Sequence, residues 1–197
     1  MMEIGLLVYP SASLFLLLRS QLTAYREIKR TECIRKFETV EYYECEAEDY
    51  YAFKLLNGKR FLFVGEEPNS HAYYHELGHL VFDRFWLDPF LESLLLIPLF
   101  LLPIPWAWIG AFLMFVTVKW VKKGWERRAD IFAFQMTGQK YTPKKLEEGK
   151  LQLLVHWLFW SHPPEEVRVE EEYYKKEVPL IKLFFKSIKL FFKSLLP

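Results

Sequence analysis

The pentapeptide HELGH at residues 75–79 constrains this chain more than any other feature. On a helix, residues four apart share a face, so the imidazoles of His75 and His79 can reach one metal ion. Glu76 follows His75 directly and lies close enough to act on a water held by that metal. The spacing therefore predicts a helical zinc site with an adjacent carboxylate.

A third zinc ligand is expected from the segment ERRAD at residues 126–130. Catalytic zinc usually has three protein ligands and a water in the fourth position. On a helix Glu126 and Asp130 share a face, so one carboxylate can bind the metal while the other accepts the Nδ1–H of a ligating imidazole. The small side chain of Ala129 would let this helix approach the first one closely.

A third motif, Ser-His-Pro-Pro-x-x-x-Arg, occupies residues 161–168. In kind and order, the three motifs resemble those of the membrane-bound gluzincins of the CAAX prenyl protease and HtpX type. The resemblance covers about residues 50–170. It implies a mainly helical α+β fold, a zincin-like metallopeptidase with a small β-hairpin or sheet and a membrane-inserted helical hairpin.

The resemblance also implies roles for individual residues. Carried over by position, the ligands of one Zn²⁺ per chain are His75, His79 and Glu126. Glu76 would be the general base, Asp130 the carboxylate behind the ligands, and His162 a catalytic group near the metal. Arg168 is expected to be structural and to pair with a nearby carboxylate.

These roles imply a zinc-dependent endopeptidase that cleaves membrane or misfolded proteins. Glu76 would take a proton from the attacking water and deliver it to the leaving amine. A protein or peptide substrate would add itself as a strand to the edge of the upstream hairpin. Two alternatives remain open: a catalytically silent zinc-binding protein that interacts with membranes, and a soluble gluzincin that cleaves a regulator.

The secondary structure upstream of the zinc helix is expected to be a hairpin. Residues 50–56 and 60–64 are rich in strand formers and flank Asn57-Gly58, a turn in which both residues need a positive φ. The zinc helix is expected to run to about Phe82. Further helices are expected from about Gly124 to Met136 and over residues 143–160.

Apolar residues make up 52% of the chain and charged residues 26%, and the two are segregated into blocks. The apolar blocks at residues 4–18 and 94–118 are therefore expected to enter a membrane. Residues 4–18 would form a helix of about 22 Å, short of the roughly 30 Å hydrocarbon core. This block is expected to anchor in one leaflet or to span a thinned bilayer. The alternative is an ordinary buried helix.

Zinc ligands precede and follow the block at 94–118, which must therefore cross a bilayer an even number of times. Pro103 and Pro105 mark its bend, so a membrane-inserted hairpin is expected over about residues 90–121. Lysines and arginines crowd the ligand side, which predicts a site that faces the cytoplasm from the cell or inner membrane. The alternative is a hairpin buried within the protein.

The C-terminal region contains a direct repeat of IKLFFKS at residues 181–194. A seven-residue period places apolar side chains on one helical face and lysines in a stripe on another. The apolar face comprises Ile181, Phe184, Phe185, Ile188, Phe191 and Phe192, and the stripe comprises Lys182, Lys186, Lys189 and Lys193. Such a helix is typical of membrane interfaces, so contact with membrane lipid is predicted. The alternative is a helix packed on the domain.

Three segments follow from these patterns: an N-terminal anchor at residues 1–20, a metallopeptidase domain at 21–177 and the basic helix at 178–197. The net charge of +1 gives no reason to expect a nucleic-acid partner, and no feature indicates an oligomeric state. Cys33 and Cys45 lack the spacing of a second zinc site. Buried or free thiols are expected in preference to a disulfide.

Overall fold

The computed structural model describes residues 2–84, 87–143 and 150–193. Within them the protein is mainly helical with one small mixed sheet, so the expectation of a mainly helical α+β chain is confirmed. The chain divides into two units, residues 1–69 with 79–118 and residues 70–78 with 119–197. Of the three boundaries, those at 78/79 and 118/119 fall inside helices, and the one at 69/70 falls immediately before a helix.

The first unit contains a long N-terminal helix and a four-stranded sheet. These elements are α1 (Met2–Ile28), β1 (Cys33–Phe37), β2 (Glu41–Glu46), β3 (Tyr51–Lys54) and β4 (Arg60–Val64). The strand order is β1-β2-β4-β3, with β2 parallel to β4 and the other neighbours antiparallel. Cys45, Phe61 and Phe63 form a buried cluster, against which Ile28 of α1 packs.

The predicted hairpin is confirmed as β3 and β4, but its turn differs from the expected one. Gly58 has a φ of +87°, whereas Asn57 keeps a negative φ. The amide of Gly58 donates to the carbonyl of Leu55 at 2.9 Å. The amide of Leu55 donates to the carbonyl of Lys59, also at 2.9 Å. The turn is thus a three-residue loop that needs a positive φ only at its last position.

Strands β1 and β2 lie in the polar region of residues 20–48, which the sequence predicted to contain strand and polar loop without defined bounds. Cys33 and Cys45 stand directly opposite each other in the antiparallel ladder, with Cα atoms 4.3 Å apart. They form a disulfide, so the expectation of unpaired thiols is wrong. Pairing was missed because β1 has only one partly buried residue and therefore shows no alternating apolar pattern.

A series of helices follows the sheet. It comprises α2 (Ser70–Phe82), α3 (Leu87–Ser93), α4 (Ile97–Leu101) and α5 (Trp106–Thr137), with a short 3₁₀ turn between α3 and α4. Within the first unit, α1 packs on α3 and α4. Gly110 of α5 lies close to Pro98 and Leu102, where a Cβ would come within 2.9 Å of both side chains. The chain therefore does fold back at Pro103 and Pro105.

This helical hairpin does not supply membrane spans. Within residues 2–84, 87–143 and 150–193, no helix is both long enough and apolar enough to cross a bilayer. The apolar run in α1 gives way to polar residues at Arg19, and the second block is divided between α4 and the part of α5 before Lys119. The predictions of transmembrane helices and of a membrane location are therefore wrong, and the cytoplasmic orientation built on them loses its basis.

The predicted helix from Gly124 to Met136 is the second half of the much longer α5. Its basic residues at positions 119–123 are good helix formers, so the helix continues through them. The expected helix at 143–160 is α6 (Lys150–Phe159), while residues 144–149 lie outside the described part of the chain.

The second unit is completed by short elements and the C-terminal helix. They are α7 (Glu165–Arg168), a 3₁₀ turn at Glu171–Tyr174 and α8 (Leu180–Lys193). Residues 194–197 of the predicted helix at 178–197 lie outside the described residues. The core of this unit combines α5, α6 and α8 through the buried side chains of Ile131, Trp157, Tyr173 and Leu183.

Helix α8 is packed on this core along a face that shares Phe184 with the predicted apolar face but also contains Leu183 and Ser187. Leu183 and Ser187 are buried and Phe184 contacts the rings of Trp120 and Trp157, whereas Ile181 and Phe185 are exposed. In the lysine stripe, Lys186 pairs with Glu170 and Glu172. The side chains of Phe191 and Lys193 lie outside what the structure describes.

Candidate metal centre

Two helices carry most of the candidate centre, α2 with the HELGH motif and α5 with residues 126–130. They approach each other closely at Gly78, where a Cβ would lie 3.2 Å from the Cα of Ala129 and 3.2 Å from Phe132 Cδ1. Small residues at 78 and 129 therefore permit the close approach that was predicted for Ala129. The polar side chains of the two motifs are brought together as a result.

The three predicted ligands lie near one another. One ligand atom each from His75, His79 and Glu126 falls within 4.8 Å of the other two, which makes this a possible metal-binding triad. His75 is buried and the other two side chains are partly buried. The two histidines are one turn apart on α2, as the spacing predicts.

Asp130 lies behind this triad and contacts His75. The distance from His75 Nδ1 to Asp130 Oδ1 is 2.7 Å. On the other side of the ring, His75 Nε2 is 3.2 Å from Glu126 Oε2. Contact with Asp130 at Nδ1 leaves Nε2 as the atom of His75 that can bind a metal.

The buried carboxylate of Asp130 is held by three further hydrogen bonds. Arg168 donates to both of its oxygens, from Nε to Oδ2 at 2.8 Å and from Nη2 to Oδ1 at 2.7 Å. The hydroxyl of Tyr173 donates to Oδ2 at 2.7 Å. The expectation that Arg168 pairs with a carboxylate is therefore confirmed.

The charges of this cluster fix its protonation. Burial acts to raise the pKa of Asp130, but the positive charges of Arg168 and His75 outweigh it and hold that pKa well below its usual range. Burial alone would lower the pKa of His75, yet Asp130 and Glu126 raise it to about 10. Ionised Asp130 can only accept, so the proton of the short contact lies on His75 Nδ1.

His162 reaches the same carboxylate as His75. Its Nδ1 is 3.0 Å from Glu126 Oε2, and its side chain is 49% exposed. The preceding residues are tied to α5, because Lys119 Nζ donates to Ser161 Oγ at 3.2 Å and Lys123 Nζ donates to the carbonyl of Trp160. The histidine of the third motif is thus held beside the other two motifs.

Glu76 and His71 share α2 with the two histidines. Glu76 follows His75 on the helix and is partly buried. His71 is buried one turn before His75, with ring centroids 6.4 Å apart, and its Nε2 has no hydrogen-bond partner among the described residues. Burial lowers the pKa of His71 to about 4, so this imidazole is neutral at pH 7.

The donor set fits zinc, and the separation of two of its ligand atoms is close to that found in a zinc site. Two imidazoles and a carboxylate are ligands that catalytic zinc sites use. Two ligand atoms about 2.0–2.2 Å from a tetrahedral zinc lie roughly 3.3–3.6 Å apart. The separation of 3.2 Å between His75 Nε2 and Glu126 Oε2 is close to that range. Zinc binding would displace the proton that His75 Nε2 carries at neutral pH.

Sequence reasoning missed Tyr173, which contacts Asp130, and Arg127, which contacts the backbone of Tyr173. Arg127 Nε donates to the carbonyl of Tyr173 at 2.8 Å. The position of Arg127, three residues before Asp130 on one helix, was a usable signal, whereas nothing in the sequence around Tyr173 singles it out. Comparison of the chain with protein-family models, curated proteins and solved structures finds no match.

Proposed function

We propose that this protein is a zinc-dependent endopeptidase in which His75, His79 and Glu126 bind the metal. The observation that carries the proposal is the convergence of these three side chains within 4.8 Å, with Glu76 on the same helix. Two histidines and a glutamate are a ligand set of catalytic zinc sites, because they leave the fourth coordination position of the metal to water. Structural zinc sites fill all four positions with protein ligands.

The order of the three motifs supports a zincin-like fold of the CAAX prenyl protease and HtpX type as part of this proposal. The contact of Asp130 with His75 supports it as well, because a ligating histidine usually donates its other ring N–H to a carboxylate or carbonyl. The membrane location of that family is not part of the proposal.

The residues suggest how a peptide bond would be cleaved. When bound, zinc lowers the pKa of a water and polarises the scissile carbonyl. Glu76 would accept a proton from the attacking water and pass it to the leaving amine. His162 would donate a hydrogen bond to the carbonyl oxygen as negative charge develops there. Asp130 would keep His75 in the tautomer that presents Nε2.

Unfolded or misfolded polypeptide is the substrate class that we propose. An extended chain can pair with a sheet edge through its backbone, largely independently of its side chains. Strand β3 is such an edge, although Gln21 of α1 already bonds to the carbonyl of Lys54 and the amide of Leu56. An added strand would therefore pair with residues 51–53.

The test compares zinc content and casein hydrolysis for wild type and the Glu76→Gln variant. One zinc per chain is expected in both proteins, because Glu76 is not a ligand. Hydrolysis should fall by at least about 100-fold in Glu76→Gln, since general base catalysis contributes 10²–10⁴-fold. Glu66→Gln, at an exposed position in the loop before α2, is the matched control and should match wild type.

Two results would contradict the proposal. Hydrolysis that survives Glu76→Gln unchanged would exclude Glu76 as the base. Zinc in all three proteins without hydrolysis of casein or of a pool of unfolded peptides would favour the alternative, a zinc-binding protein without peptidase activity.

A further inference from the structure

We propose that Tyr173 is a positioning residue for the zinc ligand His75 and acts through Asp130, an inference that rests on the function proposed above. The hydroxyl of Tyr173 donates to Asp130 Oδ2 at 2.7 Å, and Asp130 Oδ1 accepts from His75 Nδ1 at 2.7 Å. Two short hydrogen bonds therefore join a side chain from the C-terminal part of the chain to a ligand on α2.

Tyr173 is held rigidly enough for this role. Arg127 donates to three backbone carbonyls of its segment: to Tyr173 at 2.8 Å, to Lys175 at 2.7 Å and to Val178 at 2.6 Å. The guanidinium also lies 5.5 Å from the centroid of the Tyr173 ring. Arg127 of α5 thus fixes the backbone of this segment. Asp130, one turn further along the same helix, accepts the hydrogen bond from the Tyr173 hydroxyl.

The hydroxyl of Tyr173 completes the set of donors around Asp130. A carboxylate has about four acceptor positions, and here Arg168 fills two, His75 one and Tyr173 one. Burial raises the pKa of Tyr173 well above its usual value, so the hydroxyl remains a donor at neutral pH. A phenylalanine would fill the same space but would leave Oδ2 with Arg168 alone.

The neighbouring Tyr174 provides a matched control. It is buried like Tyr173, and the two rings pack edge to face with centroids 5.2 Å apart. Its hydroxyl accepts from the backbone amide of Tyr141 at 2.7 Å. Tyr174→Phe therefore removes the same atom from the same core as Tyr173→Phe, but it leaves all the donors of Asp130 in place.

The experiment measures zinc dissociation constants by chelator competition, and the visible absorption of Co²⁺ bound instead of zinc, for wild type and the two variants. Tyr173→Phe is expected to weaken zinc binding about threefold to tenfold, less than the roughly 10- to 100-fold lost with a direct partner of a ligand, because Tyr173 acts through Asp130. A less constrained carboxylate lets the His75 ring turn, which should also change the Co²⁺ spectrum. Tyr174→Phe should leave the zinc dissociation constant and the Co²⁺ spectrum unchanged. Each of the two variants is expected to lower the melting temperature.

The outcomes separate this inference from the proposed function. Failure of wild type to bind zinc or cobalt would overturn both. The inference alone would be overturned if wild type binds zinc and Tyr173→Phe binds it as tightly as wild type, more tightly, or with the same affinity as Tyr174→Phe. If Tyr173→Phe does not fold, 3-fluorotyrosine can replace tyrosine at position 173 and, as a control, at position 174. This replacement keeps the ring and makes the hydroxyl a stronger hydrogen-bond donor. A Co²⁺ spectrum altered only at 173 is then expected, and identical spectra would overturn the inference.

Discussion

Asp130 is the residue on which the candidate centre most depends. Its carboxylate is fully buried and receives hydrogen bonds from His75, Arg168 and Tyr173. A buried charge of this kind is tolerated only when its partners compensate the loss of water. Asp130 therefore links the stability of the second unit to the orientation of His75, a candidate metal ligand.

We expect Asp130→Asn to lower the free energy of unfolding by about 3–5 kcal/mol, because it leaves Arg168 buried without a matching charge. Zinc binding should weaken about 10- to 100-fold, since His75 loses its carboxylate acceptor. Chemical denaturation and chelator competition measure the two effects.

The control for this prediction is Asp83→Asn. Asp83 also pairs with two basic residues, Lys54 and Arg60, but its side chain is 30% exposed. Its replacement should cost about 0–1 kcal/mol and leave zinc binding unchanged. Equal effects of the two substitutions on zinc affinity would count against the assigned role of Asp130.

Much of the candidate centre could be predicted at this scale. A spacing of four residues placed His75 with His79 and Glu126 with Asp130, because helical geometry fixes which residues share a face. Tyr173 could not be found in this way. It belongs to none of the three motifs, and its contact with Asp130 depends on tertiary packing, including the hydrogen bond from Arg127 to its backbone.

At the scale of elements, the crossing of α2 and α5 at Gly78 brings the motifs together. We expect Gly78→Ala to destabilise the protein or leave it unimproved, because the new Cβ would lie 3.2 Å from the backbone of Ala129. The same change at Gly124 of α5, where a Cβ meets nothing within 4 Å, should stabilise by about 0.5–1 kcal/mol. Thermal unfolding of both variants measures the difference, and equal gains would contradict the close crossing.

Helix α8 allows a second comparison within one repeat. Leu183 is 2% exposed and packs in the core of the second unit, whereas Phe185 is 60% exposed. We expect Leu183→Ala to cost about 2–5 kcal/mol of stability. Phe185→Ala should change stability by less than about 0.5 kcal/mol. Denaturant titration tests this, and the reverse order would mean that α8 packs along the face predicted from the repeat.

Several elements could not be predicted for identifiable physical reasons. Strand β1 is almost entirely exposed, so no alternation of apolar residues marks it. The disulfide depends on the register that sets Cys33 opposite Cys45, which the sequence does not specify without the sheet. The length of α5 was underestimated because a change from apolar to basic residues was interpreted as a boundary, although lysine does not end a helix.

At the scale of the whole molecule, segregation of apolar and charged blocks was misleading. The blocks at residues 4–18 and 94–118 are real, but helix boundaries decide whether a block can span a bilayer. Pro103 and Pro105 separate α4 from α5, and charged residues enter α1 and α5 before either has a sufficiently long apolar run. Hydropathy summed along the sequence did not account for these interruptions.

If the proposed function is correct, hydrolysis by this protein requires zinc bound to the chain. The experiment is to remove metal from the protein with a chelator and to measure casein hydrolysis as zinc is added back. We expect no hydrolysis without zinc, a rise in proportion to bound zinc and a plateau at one zinc per chain. Hydrolysis that persists in the metal-free protein, or that remains absent when one zinc is bound, would contradict the proposed function.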